Sequence, residues 1–414
     1  MNVLLLNPNR FRTPPAPPIG LEVLAGHVAQ DGHSVRVLDL CFSDDMYADI
    51  DRAAETFRPD LAGITIRNID SVLYENNEFY LEEIGQLVMH FRNKYGIPVI
   101  VGGAALSADP AGILEYLGAD HAIAGPAEGV ITEVLSSLQK GQSVPRLIRG
   151  FYKPYSRSLR CTAGIDYPVY TREGGIPGFE THKGCSSSCV YCLEADAPVA
   201  FKNPEDIVRE ITWFTKKGYN HFHLCDPEFN EDLDHALSFC TALKQSGMNI
   251  LWTLYMKPGN YNQKLFRLMR ETGVYLITLT VDSFKKCPLY WDDIEKIIFN
   301  AKTNGIKISV DFLTGFPYED EELLKWCLDF FRRLQPDRVN INTYIRLYKA
   351  LTITRIISKD PSLASCLKGN TDDDALIHPV FFNRIDNDKL RQYIGDDPIF
   401  RIDGAEKGVN YTRS

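Results

Sequence analysis

Apolar and polar residues alternate along this chain in two rhythms. Short, mostly apolar runs at 3–6, 35–39, 61–66, 97–101 and 119–123 are separated by stretches in which apolar positions recur every three or four residues, beginning with 19–28. An apolar run without polar alternation suits a strand covered on both faces, and strands alternating with helices predict a parallel sheet. Residues 1–145 therefore predict a doubly wound α/β domain. Residues 146–176, with Pro154, Pro168, Gly174 and Gly175, read as an interdomain linker whose Tyr167, Tyr170 and Arg172 are expected to line the gap between domains. The alternation then restarts, with strands expected at 179–182, 221–224, 250–254, 276–281, 307–313 and 338–342. Helices are expected at 204–217, 232–245, 263–272, 291–304 and 319–334. These units, within 177–348, predict a partial (β/α)6 barrel. Residues 349–414 lose the rhythm and are expected to form a short C-terminal cap, with Asp372, Asp373 and Asp374 in a solvated turn or helix start.

Composition narrows the class. A chain of 414 residues exceeds one ordinary core, and 44% hydrophobic with 24% charged residues is ordinary for a soluble globular protein. A net charge of −9 argues against a general nucleic-acid binder. No apolar run approaches the roughly 18 residues of a membrane span. The opening apolar run is short and lacks a basic flank, so no signal peptide is expected, and ten mostly scattered cysteines suit a reducing cytoplasm. No G-x-G-x-x-G opens the first helix, which disfavours a dinucleotide, and neither a Walker loop nor a nucleophile elbow is present. Glu319 to Glu322 read as the acidic first turn of a helix.

The informative chemistry is C-x3-C-x2-C: Cys185, Cys189 and Cys192, preceded by Gly184 and with Tyr191 before the last cysteine. Three thiolates leave one position of a four-ligand metal site open. A closed zinc site would need a second cysteine or histidine pair, which the sequence lacks. The motif resembles the signature of radical S-adenosylmethionine (SAM) enzymes. The resemblance implies a [4Fe–4S] cluster on the three cysteines, SAM chelated at the open iron, and Tyr191 near the adenine. Residues at the ends of the expected barrel strands match the family's SAM positions: Asp226, with Glu228 as runner-up, for the ammonium; Asp282 or Ser283 for the ribose; and Gly315, Phe316 and Pro317 beside the adenine. Singly, an aspartate at a strand end is more often a helix cap than a ligand.

Ligands of open parallel sheets sit beyond the strand C-termini. In the first domain those ends hold Asn7-Pro8, Arg67-Asn68, Gly102-Gly103-Ala104 through Ser107, and Gly125 through Glu128. The arrangement is similar to the cobalamin-binding domain that precedes many radical SAM cores, and implies that these residues contact cobalamin. The Asp-x-His-x-x-Gly element that ligates cobalt in other cobalamin proteins is absent, and His33 reads as a turn histidine. Arg67, Asn68 or water is then expected to face cobalt from below, the alternative being that Arg67 pairs with an acid such as Asp70 or faces solvent. For substrate, Lys257 and the alternating Tyr344, Arg346 and Tyr348 are expected at the barrel mouth. The resemblance implies a C-methyltransferase acting at an unactivated carbon through a 5′-deoxyadenosyl radical and methylcobalamin, with a flavodoxin or ferredoxin as electron donor. A radical enzyme that does not methylate, with or without cobalamin, and a non-catalytic corrinoid or iron–sulfur carrier are the alternatives.

Overall fold

The computed structural model describes residues 1–152 and 160–402, so Pro154 of the expected linker lies outside the described residues. The first unit runs β1 (Asn2–Asn7), α1 (Ile19–Gln30), β2 (Ser34–Asp39), α2 (Met46–Phe57), β3 (Leu61–Thr65), α3 (Leu81–His90), β4 (Val99–Gly102), α4 (Pro110–Leu117), β5 (His121–Ala124), α5 (Ile131–Gln139) and β6 (Leu147–Arg149). Its sheet has the order β2-β1-β3-β4-β5-β6 and every pairing is parallel. The apolar runs explain this: Val3, Leu4, Leu5 and Leu6 are all buried, so β1 needs cover on both faces. Each such side chain contributes about 1.5–3 kcal/mol on burial. Caps set the helix starts, with Asp45 accepting from Ala48 N and Asp109 from Gly112 N. Strand β6 was not expected; it extends the first sheet into the stretch read as linker.

After α6 (Tyr167–Arg172) come β7 (Gly178–Phe179), β8 (His182–Cys185), β9 (Ala197–Phe201), α7 (Pro204–Thr215), β10 (His221–Leu224), α8 (Leu233–Gln245), β11 (Leu251–Met256), α9 (Gln263–Glu271), β12 (Val274–Asp282), α10 (Pro288–Thr303), β13 (Lys307–Leu313), α11 (Glu321–Leu334) and β14 (Arg338–Asn342). The chain finishes with β15 (Ile345–Arg346), α12 (Thr352–Ser358), β16 (Leu367–Gly369), β17 (Val380–Phe382), α13 (Asn387–Ile394) and β18 (Phe400–Ile402). The barrel sheet, in the order β18-β14-β13-β12-β11-β10-β7, is parallel throughout. Two features depart from expectation. The strand expected at 179–182 breaks after Phe179, and β8 turns away to pair antiparallel with β9. The tail does more than cap: β18 returns to pair with β14, while β15, β17 and β16 form a small antiparallel sheet. Asp373 sits in a turn, accepting from Ala375 N and His378 N.

The linker tyrosines do not line a gap. Tyr167 and Tyr170 are buried, Tyr167 donating to Glu22 of α1 and Tyr170 to Asp39 at the end of β2. Phenol rings of that size pack into the seam because each hydroxyl finds a carboxylate there; Arg172 stays at the surface.

Candidate functional site

The three cysteines occupy the connection between β8 and β9. Cys185 is buried, Cys189 and Cys192 are half-buried, and all three are free thiols. Gly184 makes the start of this loop possible: its φ is +82° and an added Cβ would lie 2.1 Å from the Pro198 carbonyl oxygen. A left-handed residue in such close approach to the facing strand must be glycine. Burial pushes the Cys189 thiol up to about 11, with Asp282 and the other two cysteines adding to it. Metal binding would have to displace that proton, as thiolate ligation does. The donor set, three thiols on one loop that act on one another electrostatically and no fourth cysteine or histidine partner in the motif, suits a cubane cluster in number and kind and not a closed zinc site.

The loop is braced from the barrel. Glu231 accepts from Ser186 N at 3.1 Å and pairs with Lys257 Nζ at 2.5 Å, and that ammonium also reaches Ser187 Oγ at 3.2 Å. Asn230 holds the Lys257 backbone from both sides, donating to its carbonyl and accepting from its N–H. Lys257 thus meets a carboxylate as expected, but it is the protein's own. At the root of the hairpin, Glu180 bridges Lys183 at 2.6 Å and Lys202 at 2.9 Å. Burial pushes its carboxyl up, yet the two ammonium groups outweigh that and hold it well below the usual range.

Asp226, expected for the ammonium, is engaged by the chain itself. It is buried, accepts from Thr181 N, Thr181 Oγ1 and His182 N, and lies 3.1 Å from His182 Nδ1. Its lone pairs serve the kink between β7 and β8. Glu228 has the opposite character: its Oε2 is buried with no hydrogen-bond partner, and burial pushes the carboxyl up to about 8 against the pull of Lys257. An unpaired buried carboxyl beside the cysteine loop suits a cationic ligand group such as an ammonium.

The other barrel candidates converge. Tyr191 donates to Asp282 at 2.5 Å, Asp282 N donates to Tyr290 Oη at 2.9 Å, and the Tyr191 and Phe316 rings lie 5.6 Å apart. Burial pushes Asp282 up, opposed by Tyr191 and Lys285. Ser283 is fully buried at the end of β12. The Gly315-Phe316-Pro317 turn is held by Glu319, which accepts from Gly315 N at 2.8 Å, Phe316 N at 3.0 Å and the Thr314 hydroxyl. Sequence reasoning read Glu319 as part of a solvated acidic turn. It is buried, while its neighbour Asp320 caps α11.

The C-terminal edge of the first sheet holds the other candidates. Gly103 has φ +107°, and an added Cβ would lie 2.5 Å from the Ile66 carbonyl oxygen. Ile66 N donates to Gly102 O and Ala105 N to Ile66 O, which welds the ends of β3 and β4 together. Gly103 and Ala104 are exposed, with Ser107 half-buried, as a contact loop requires. Arg67 and Asn68 project into a cavity of about 600 Å³ that Pro8, Arg12, Asp44 and Tyr80 also line. Arg67 faces the barrel, where its charge helps burial hold the His223 imidazole down at about 4. Glu128 is buried with Oε2 unpartnered, and Gly125 lies against the Gly150 backbone. Asn7 is buried, donates to Asp39 at 2.8 Å and accepts from Asn9 N. His33 sits against the N-terminal amine at the opposite edge, consistent with a turn histidine.

The expected substrate residues 344–348 fall elsewhere. Arg346 is buried and pairs with Asp70 at 2.8 Å, donating also to the carbonyls of Leu347, Leu376 and Ile377. Tyr348 lies beneath its guanidinium at 4.4 Å, and Tyr344 stacks on Tyr74 at 4.4 Å. Their shared face meets Asp70 and Tyr74 of the first domain. Asp70 therefore answers Arg346 and not Arg67.

Residues 12–135 match the family described as B12 binding domain and residues 179–331 the Radical SAM superfamily. Tryptophan 2-C-methyltransferase of Streptomyces laurentii is 22% identical, over 90% of this chain and 77% of that protein. An uncharacterized methyltransferase of Pyrococcus horikoshii is 23% identical over 78% of this chain and 74% of its own length. The radical SAM methyltransferase TsrM of Kitasatospora setae, solved with cobalamin and a [4Fe–4S] cluster bound, superposes with a TM-score of 0.86 at 20% identity, covering 99% of this chain and 93% of that one. The cobalamin-dependent radical enzyme OxsB, solved with aqua-cobalamin, gives 0.71 at 14% identity, covering 95% and 66%. At these identities the structural likeness is one of fold.

Proposed function

We propose that this chain, in which a B12 binding domain is joined to a radical SAM domain, is a cobalamin-dependent SAM methyltransferase acting on carbon. The observation that supports the reading is the pairing of two edges in one chain: three free thiols in the loop after β8, and a first-sheet edge whose Arg67, beside a cavity, lies near enough to the barrel for its charge to act on His223. Either edge alone would suit a carrier. Together, with Tyr191, Asp282 and Phe316 gathered beside the cysteines, they suit a site where two cofactors act on one substrate.

When bound, the cluster and SAM supply electron transfer and a methyl donor, and cobalamin supplies the methyl relay. The protein's own part is placement. Cys185, Cys189 and Cys192 would hold the cluster, with Lys257 and Glu231 fixing their loop. Glu228 would take the SAM ammonium in place of Asp226, Asp282 a ribose hydroxyl, and Tyr191 with Phe316 the adenine. Arg67 below cobalt has no lone pair to donate, so it would keep a lower ligand away and favour low-valent cobalt electrostatically. No general base is needed at the barrel mouth: the chemistry belongs to the cofactors. The electron is expected from a flavodoxin or ferredoxin in the cytoplasm; among the described residues no helix is long and apolar enough to cross a membrane.

Anaerobic reconstitution tests the reading. The unaltered protein should hold about four irons, show corrin absorption with hydroxocobalamin, and form methylcobalamin from SAM under reduction. Cys189→Ala should lose the iron and keep the corrin bands. Iron retained in full by that variant, or no corrin bound by the unaltered protein, would sink the proposal.

A further inference from the structure

The loop after β3 carries Arg67 and Asn68 into the cavity, and it is pinned at three points. Ile66 is bonded to the β4 turn through Gly102 O and Ala105 N, and Ile69 O accepts from Tyr80 N. Directly after Ile69, Asp70 is wholly buried, accepting from Val72 N at 2.7 Å, Asn77 Nδ2 at 3.3 Å and Arg346 Nε at 2.8 Å. Arg346 belongs to β15, in the small sheet contributed by the C-terminal part of the chain. Its remaining donors are spent on the carbonyls of Leu347, Leu376 and Ile377, so the guanidinium cannot turn. Tyr74 on the same loop stacks on Tyr344 at 4.4 Å and meets Phe381 edge-on at 5.7 Å. A loop held this way has one height over the cavity, and that height is set by the far end of the chain.

We propose that Asp70 and Arg346, with the Tyr74–Tyr344 stack, are positioning residues for the lower face of the bound corrin: they hold Arg67 where it excludes a lower cobalt ligand. The inference rests on the cobalamin reading above. Neither Asp70 nor Arg346 reaches the cofactor; both act through Arg67. Loosening the clamp lets Arg67 retreat and admits water to cobalt from below, without touching the cysteines.

The paramagnetic resonance spectrum of the protein loaded with cob(II)alamin reports axial ligands directly. The unaltered protein should show no lower ligand. Arg67→Ala should show a water-ligated species. Asp70→Asn keeps the local turn but removes the charge. It should show a mixture of the two species, with iron content and corrin occupancy unchanged. Tyr74→Leu, a milder change in a half-buried side chain, should shift the spectrum in the same direction, and Tyr74→Phe should restore it. A water ligand in the unaltered protein overturns the lower-face reading and the proposal with it. A changed spectrum in Arg67→Ala, beside unaltered spectra in Asp70→Asn and Tyr74→Leu, overturns the clamp alone. Should Asp70→Asn fail to bind corrin, the Tyr74 pair decides in the same way.

Discussion

Glu228 differs from every other carboxylate around the cysteine loop in having a buried oxygen with no partner. Glu231, Asp226 and Asp282 are all engaged by donors, and Glu228 is held back for something absent from the chain itself. Its titration makes that testable in cofactor-free protein. The unfolded carboxyl ionises near 4.5, the folded one near 8. Below 4.5 both states carry the proton and Glu228 contributes nothing. As pH rises toward 8 the unfolded chain ionises while the folded one does not, so stability falls across that window and levels off above it. Part of the side chain stays accessible, which limits the penalty to about 2 kcal/mol at pH 8. Glu228→Gln removes it. Urea unfolding should find the variant equal to the parent near pH 4.5 and more stable at pH 8; a difference that does not change with pH would show that Glu228 is already satisfied. Legibility ends at this scale. Position along the strand end marked Asp226 and Glu228 alike, and only three-dimensional bonding separates the one spent on Thr181 and His182 from the one left open. Asn7 and Arg346 illustrate the same limit: a partner distant in sequence engages each, and no local pattern announces it.

Elements were more legible than residues because their signal is periodic and repeats. The strands expected at 221–224, 307–313 and 338–342 are observed with those ends, since short β-prone segments between capped helices have one reading in a parallel sheet. The strand expected at 179–182 was misread because Thr181 and His182 look strand-like, yet the Asp226 tie bends the chain there and sends β8 toward β9. Strands β6 and β18 were missed because short edge strands carry little pattern; β18 is bounded by three residues. The cysteine loop itself is an irregular element, and such elements have no periodicity to read. Its order depends on the brace from the segment after β10. Lys257→Met would leave Glu231, nearly buried, with Ser186 N as its remaining strong donor. Breaking a largely buried pair costs about 2–4 kcal/mol, most of it local to the loop. Reconstituted Lys257→Met should still take up iron but release it to a chelator several-fold faster than the parent. Equal release rates would show that the cysteines hold their geometry unaided.

For the whole molecule, the question is what couples two sheets that could each be a domain. Two candidates meet at the seam. One is a buried ionic cluster: Arg160 pairs with Glu22 of α1 and, at 2.7 Å, with Glu210 of α7, and donates to Tyr167 Oη and the Gly178 carbonyl. The other is apolar: Leu21 and Val28 of the first unit belong to the same buried cluster as Phe179, Phe214 and Phe222 of the barrel. Physical reasoning favours the second as the source of cohesion. Ionic groups taken out of water recover little net energy, whereas apolar area gains steadily with burial. Removing one partner alone is another matter. Arg160→Met leaves Glu22 fully buried, its carboxyl already pushed up by burial, and should cost about 3–5 kcal/mol. Glu22→Gln combined with Arg160→Met removes the stranded charge and should recover much of that loss. Scanning calorimetry of both variants should still find one cooperative transition, shifted strongly down in the single variant and less in the double. If the double variant instead melts in two steps, the charges and not the apolar seam join the units, and the distance between the two cofactors would then depend on a handful of hydrogen bonds around Arg160.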